Sequence, residues 1–186
     1  MNRFATSPLP ALALGALLVA ALSAVMISEY GVDVALGVAA RFLHVAGAIV
    51  WGGMIVFVNV VQLAALAAAS DAERPVIVRR IVPGSTRLFT IAADVTLATG
   101  LAMTWPVHQS LPHRPMLMLG ILGGIAMWAI VRVVLRPAIA RITGEVAATD
   151  AEKAAARARV ALYARVNLAL LLPVTLAMLV ASHAGG

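Results

Sequence analysis

The sequence predicts an all-α membrane protein, a bundle of five transmembrane helices with its N-terminus in the cytoplasm and its C-terminus in the periplasm. Three observations support this fold class. The 186 residues are 62% hydrophobic and only 12% charged, which leaves too few polar side chains to cover the surface of a soluble domain. Five apolar stretches each reach the roughly 20 residues that a helix needs to cross a bilayer. The basic residues gather between alternate stretches, as they do in membrane proteins with positively charged cytoplasmic loops.

The first apolar stretch covers residues 8–28 and follows Arg3. A basic start before an apolar run is also typical of a signal peptide, and residues 21–24 resemble a cleavage site. The run continues to Ile27, however, which makes it long enough to span a membrane. We therefore predict that residues 1–30 form a retained, lipid-facing transmembrane helix and that residues 31–186 form a four-helix membrane bundle.

The second stretch, residues 36–66, is longer than a bilayer core. Arg41 is expected at the outer interface, because a charged side chain in hydrocarbon is costly. The apolar core then runs from about residue 42 to residue 61, and residues 62–69 project into the cytoplasm. His44 consequently lies within about one helical turn of the outer surface.

The remaining stretches cover residues 86–106, 115–136 and 158–182. Ser70 and Thr149 are each followed three residues later by a glutamate, the spacing of a capping box that satisfies free amides where a helix begins. The second box predicts that the last helix begins well inside the cytoplasm. Pro173 lies within that helix and is expected to kink it.

The basic residues determine the predicted orientation. Twelve of the fourteen fall on one side of the predicted bundle: Arg3, Arg74, Arg79, Arg80, Arg87, Arg132, Arg136, Arg141, Lys153, Arg157, Arg159 and Arg165. Only Arg41 and Arg114 fall on the other. The positive-inside rule then places the chain in a bacterial inner (cytoplasmic) membrane with the N-terminus inside. Basic segment ends meet anionic headgroups, so the net charge of +6 predicts membrane lipid and no nucleic acid as a partner.

Four polar residues form a predicted inner layer near the cytoplasmic ends of four helices: Asn59, Asp94, Arg132 and Asn167. Asp94 is the only acid well inside a span, and Arg132 lies at a similar depth on the next helix. An ion pair flanked by two amides would satisfy both charges. A proton or ion relay is the functional interpretation, and structural stabilisation of the bundle is the one we favour, because one acid does not make a pathway.

A predicted outer layer contains Arg41 and all four histidines. Arg41 and His44 share a helix face, and small residues at positions 47, 48, 52 and 53 allow a flat group or another backbone to approach closely. This pattern suits haem b, with His44 and His183 as axial ligands, Arg41 on a propionate and Gly52 against the ring. The alternative is interfacial histidines that bond to loops and headgroups. His108 and His113 lie in a Pro-rich loop, either solvated or in a copper or zinc site.

The run from Arg41-Phe-Leu-His44 to Trp51-Gly-Gly resembles the opening of the membrane domain of bacterial urate oxidases (urate hydroxylase type) and their small relatives. The likeness continues through Phe57–Gln62 and Ala92–Gly100, and it closes with Arg165-Val-Asn167 through Pro173 and Met178 to His183. It covers roughly residues 38–183. The resemblance points to Arg41, His44, Asn59, Asn167 and His183. Family members often carry a cytochrome c module, whereas this sequence has no cysteine to attach a c-type haem, so electrons would need a separate partner.

Together these features predict a haem b-binding electron-transfer or accessory subunit that is not independently catalytic. Its partner would be a membrane complex or a periplasmic electron carrier. Two alternatives stay open: a cofactor-free structural subunit of a larger membrane complex, and a periplasmic-side copper-handling membrane protein. Urate oxidation by this chain alone ranks below all three.

Overall fold

The computed structural model describes residues 7–105, 110–111 and 113–183, and every regular element within these ranges is helical. The chain divides into two units, residues 1–42 and 43–186. The division falls inside a helix, between Phe42 and Leu43. Since that helix continues across the boundary, the units are separated by packing rather than by a linker.

The first unit contains helix α1, Leu9–Tyr30, and the beginning of helix α2. No residue of α1 is buried, so the whole apolar surface of this helix is left for lipid or a partner. Gly31 ends α1 with a positive φ of 83°, a conformation that only glycine adopts without strain, and its amide donates to the Ile27 carbonyl at 3.0 Å. Helix α2 then begins at Val32.

Helix α2 extends over Val32–Ala68. It is α-helical to Val56, makes a π-helical turn over Phe57–Gln62 and returns to α-helix over Leu63–Ala68. The Arg74 side chain caps the C-terminal end of α2 by donating hydrogen bonds to the carbonyls of Leu66 and Ala69.

A short helix α3, Arg74–Arg80, leads into α4, Val82–Thr104. The Ser70 capping box forms ahead of α3, since the Ser70 amide and hydroxyl donate to Glu73 at 2.9 and 2.7 Å. The side-chain hydrogen bond from Ser70, followed by the backbone one, holds the pKa of the exposed Glu73 carboxyl below its ordinary value. The Thr149 box forms in the same way with Glu152.

Helix α5, Pro115–Thr143, contains a second π-helical turn over Ile130–Leu135. Gly144 ends it with a left-handed φ of 84°. Helix α6, Asp150–His183, then runs unbroken through Pro173. Its start agrees with the capping box, well before the apolar stretch begins.

Four of these helices are long and apolar enough to cross a membrane: Leu9–Tyr30, Val32–Ala68, Pro115–Thr143 and Asp150–His183. Helix α4 is 23 residues long but less apolar, because it includes Arg87, Asp94 and several threonines. The all-helical fold with several membrane-length helices is therefore established, whereas the fifth span and the orientation of the termini stay predictions.

The core of the second unit lies where α2, α4 and α5 meet, and α6 packs along it. Its fully packed members are Trp51, Ile55, Phe89, Ala92, Ala93, Met127, Val131 and Leu135. Gly120 and Gly123 of α5 bring α6 close, since Met178 and Val174 occupy the space that a β-carbon would need. Small residues at such contacts let helix backbones approach in a membrane. This packing holds the second half of α2 between α4 and α6.

Candidate functional site

The imidazole of His44 is partly buried between α2 and α4. Its Nδ1 lies 2.8 Å from the backbone carbonyl oxygen of Thr96 on α4. A carbonyl only accepts hydrogen bonds, so Nδ1 must carry the proton and donate it. In the neutral imidazole the other ring nitrogen, Nε2, then keeps a free lone pair, and it makes no hydrogen bond within the part of the chain that the structure describes. His44 is therefore oriented as metal-ligating histidines are, with one nitrogen fixed on a carbonyl and the other available.

Two glycines allow this arrangement. A β-carbon on Gly100 would lie 2.7 Å from Cε1 and 3.0 Å from Nδ1 of His44, so the edge of the ring fills the glycine notch on α4. Gly47 on α2 lies against Thr96 in the same way. The Thr99 hydroxyl is 3.5 Å from Nδ1. Sequence reasoning gave no role to Gly100, although a glycine ending a Thr-Leu-Ala-Thr-Gly run was a visible signal of a close contact.

His183 is the last residue of α6 and is exposed. Its Nδ1 lies 2.9 Å from the Leu179 carbonyl oxygen and 2.9 Å from the Ser182 hydroxyl, both in its own last turn. The carbonyl again requires Nδ1 to donate, which leaves Nε2 free. His183 thus shares the ligand-competent form of His44.

The two imidazoles have different neighbours. The ring of His44, on α2, contacts α4, whereas the ring of His183 bonds to its own helix, α6. No hydrogen bond joins them among residues 7–105, 110–111 and 113–183, and no group of three or more histidine, aspartate or glutamate side chains gathers there. A metal held by the protein alone would need such a group, whereas a haem iron needs only one or two axial ligands. Convergence of His44 and His183 stays a prediction.

The other predicted outer-layer residues have separate surroundings. Arg41 is an exposed residue of the first unit. Gly52 lies against α6, where Leu171 Cδ1 is 3.4 Å from the position of a β-carbon. The small residues at positions 47 and 52 thus allow other helices to approach α2 closely: α4 at Gly47 and α6 at Gly52.

His113 lines a small open pocket at the junction of α5 and α6, with a volume of about 240 Å³. Arg114, Met116 and Val180 also line it. Ligand pockets are commonly about 300–1,000 Å³, so this one is too small for a haem. His108 lies outside the described residues.

The inner polar layer divides into two parts. Asp94 on α4 accepts hydrogen bonds from Arg132 on α5 through both carboxylate oxygens, and Trp128 Nε1 donates to Asp94 Oδ1 at 2.8 Å. The Asp94 and Arg132 side chains are 33% and 42% exposed, so this ion pair lies on the surface of the bundle. Trp128 thus flanks the ion pair where an amide was expected.

The two amides lie instead between α2 and α6. Asn59, within the first π-helical turn, donates to the Ile55 carbonyl at 2.9 Å and to the Ala164 carbonyl of α6 at 3.1 Å. Asn167 is only 1% exposed. Both amides therefore belong to the helix interface and not to the ion pair.

One side chain of the second unit has the donor chemistry of a metal ligand. His44 supplies an oriented imidazole with a free Nε2, and its partners Thr96 and Gly100 fix the ring. Haem iron is commonly held by such a histidine. The arrangement supports ligand binding at Nε2.

Comparison of the chain with protein-family models, curated proteins and solved structures finds no match. The resemblance to the urate oxidase membrane domain therefore rests on the sequence motifs around His44, Asn59, Asn167 and His183. Over the residues that the structure describes, the chain is helical, and four of its helices are long and apolar enough to cross a membrane.

Proposed function

We propose that this chain is a multi-pass protein of a bacterial inner membrane that binds haem b near its periplasmic face and passes electrons between partner proteins. In this proposal α4 is the fifth span, the N-terminus is cytoplasmic and the C-terminus is periplasmic. The haem would supply one-electron chemistry. The protein would supply the ligand and its orientation.

One observation carries the proposal: the hydrogen bond from His44 Nδ1 to the Thr96 carbonyl at 2.8 Å. This bond selects the tautomer in which Nε2 is an iron ligand, and it turns the ring to a fixed angle. Because the acceptor is a backbone carbonyl, the orientation does not depend on a mobile side chain. His183, in the same tautomer, is the proposed second ligand.

A cofactor-free structural subunit is the second candidate, and the fit of His44 into the Gly100 notch favours it. An imidazole that fills a glycine notch and bonds to a carbonyl also joins two helices without any ligand. Copper handling is the third candidate function, since imidazole binds copper as well as iron. A purified protein distinguishes the three by its colour and metal content.

The test is the visible spectrum of the protein purified from a membrane, in reduced and oxidised states. We expect a haem b spectrum in the unmodified chain and a haem content at least tenfold lower in His44→Ala. His113→Ala is the matched control, since His113 is an exposed histidine outside this contact, and it should keep full haem content. A lower haem content or an altered spectrum in His183→Ala would assign the second ligand.

A colourless unmodified protein, or an unchanged spectrum in a folded His44→Ala variant, would refute the haem proposal. Stoichiometric copper in the colourless protein would favour the third candidate. A colourless, metal-free protein that co-purifies with a larger complex would favour the second.

A further inference from the structure

Four buried polar atoms of the second unit make no hydrogen bond within the described part of the chain. They are Nε1 of Trp51, Oδ1 of Asn59, and both Nδ2 and Oδ1 of Asn167. Trp51 is 6% exposed and Asn167 only 1%, so neither lipid headgroups nor bulk water reach them. Buried polar groups in folded proteins are nearly always paired, by the protein or by ordered water. These four atoms therefore need hydrogen-bond partners.

The three asparagine atoms occupy one stretch of the α2–α6 interface. At one end, Gly52 lies against Leu171. At the other, the Asn59 amide nitrogen bonds to the Ala164 carbonyl at 3.1 Å. Asn167 lies between these two contacts on α6, three residues after Ala164 and four before Leu171, and this spacing keeps the three residues on one helix face. Trp51 lies eight residues before Asn59, roughly 12 Å along the helix axis, so its indole is outside this stretch.

The chemistry of the three asparagine atoms restricts what can bind there. The amide Nδ2 is a donor, and the two amide Oδ1 atoms are acceptors. None of the three atoms belongs to a titratable side chain, so a charged ligand would gain no counter-charge from them. The Asn59 Nδ2 protons are already used, by Ile55 and Ala164, and only the oxygen of that amide still needs a partner. A small neutral molecule that both donates and accepts matches this set.

We propose that the α2–α6 interface holds an internal water site, with at least one ordered water bound by Asn59 and Asn167. Water in this site donates to the Oδ1 atoms of Asn59 and Asn167 and accepts from Asn167 Nδ2. Internal waters of this kind make about three hydrogen bonds to otherwise unsatisfied groups. The site needs neither His44 nor a haem, so it stands apart from the proposed function.

The π-helical turn of α2 belongs to the same feature. Insertion of a side chain or a water into the helical hydrogen-bond ladder is a known cause of such irregularities, and Asn59 lies within the turn while its amide bonds to the Ile55 carbonyl. Asn59 thus has two roles: its Nδ2 bonds within the irregular turn of α2, and its Oδ1 accepts a hydrogen bond from the proposed water.

The test is infrared difference spectroscopy of the full chain in nanodiscs, comparing ordinary water with water labelled with oxygen-18. An internal water gives an O–H stretching band that shifts with the isotope. We expect this band in the unmodified protein and its loss in Asn167→Leu, which removes two of the three atoms. Thr90→Val is the matched control, since Thr90 is also buried but bonds to the Thr86 carbonyl of its own helix at 2.7 Å, and the band should remain.

Absence of the band from the unmodified protein, or its persistence in a folded Asn167→Leu variant, would overturn the proposal. If Asn167→Leu does not fold, Asn167→Thr serves instead, because it replaces the amide by a smaller polar side chain with different hydrogen-bond partners. A shifted isotope-sensitive band in Asn167→Thr supports the water site. A band of unchanged frequency in that variant contradicts it.

Discussion

His44 and Gly100 act as one contact at the scale of single residues. The imidazole bonds to the Thr96 carbonyl, and Gly100, one helical turn later on α4, leaves the room that the ring needs. Only a residue without a β-carbon permits this, because Cε1 is 2.7 Å from where that carbon would be. The glycine therefore determines the position of the ring as much as the hydrogen bond does.

Gly100→Ala should displace the His44 ring and destabilise the protein. The added methyl meets the rigid ring edge and not the end of a flexible chain, so either the ring leaves the Thr96 carbonyl or α2 and α4 move apart. Overpacking of this kind costs about 1–3 kcal/mol. The measurement is the free energy of unfolding in mixed micelles, and if the haem proposal holds, haem content should fall with it.

Gly124→Ala is the control for this change. Gly124 also lies inside a helix, α5, but no atom would lie within 4 Å of a β-carbon there. Alanine is favoured over glycine in a helix by roughly 0.5–1 kcal/mol, so this variant should be at least as stable as the unmodified chain. Equal stabilities for the two variants would show that the Gly100 contact is not tight.

At the scale of the helices, the sequence predicted the elements better than their interior geometry. The Thr149 capping box identifies the start of α6 at Asp150, because that signal is local. The π-helical turns over Phe57–Gln62 and Ile130–Leu135 have no such local signal. The first depends on where Asn59 finds acceptors, one of which, Ala164, lies on a different helix.

The pairing of helices limited the prediction of the polar layer. Depth in the membrane is readable from a sequence, and it placed Asp94 and Arg132 close enough to meet. Which face each residue presents depends on the neighbours of its helix, which one sequence does not reveal. Asn59 and Asn167 accordingly lie in a different interface, and Trp128 bonds to Asp94 in their place. The contact between His44 and Gly100 was not predicted, for the same reason.

The Asp94–Arg132 pair should couple α4 to α5. Asp94→Asn removes the negative charge and keeps the shape of the side chain, and Arg132→Gln removes the positive charge and leaves a shorter polar side chain. In a double-mutant cycle we expect the two changes to be non-additive by about 0.6–1.7 kcal/mol, the average and maximum that such cycles give for polar contacts between membrane helices. The free energy of unfolding of the four proteins in mixed micelles gives the coupling. Additivity within about 0.3–0.5 kcal/mol would instead show that the pair is energetically independent.

At the scale of the whole molecule, α4 decides the topology. Four other helices are long and apolar enough to cross a membrane, and α4 connects the second of them to the third by way of α3. If α4 crosses, Asp71 and His113 lie on opposite sides. If it does not, they lie on the same side, and the basic residues between Arg136 and Arg159 face the periplasm, against the positive-inside rule.

We therefore expect α4 to span, and cysteine labelling tests this directly because the unmodified chain contains no cysteine. A membrane-impermeant maleimide should label His113→Cys and Ser182→Cys in intact cells. Asp71→Cys and Ala147→Cys should react only after the inner membrane is permeabilised. All four positions are exposed, so protection reports the side of the membrane and not burial. Labelling of Ala147→Cys in intact cells, with both Asp71→Cys and His113→Cys protected, would show that α4 does not cross and would place His183 in the cytoplasm. The same pattern would move the proposed haem site away from the periplasmic face, because residue 113 marks the end of α5 that packs beside the His183 end of α6.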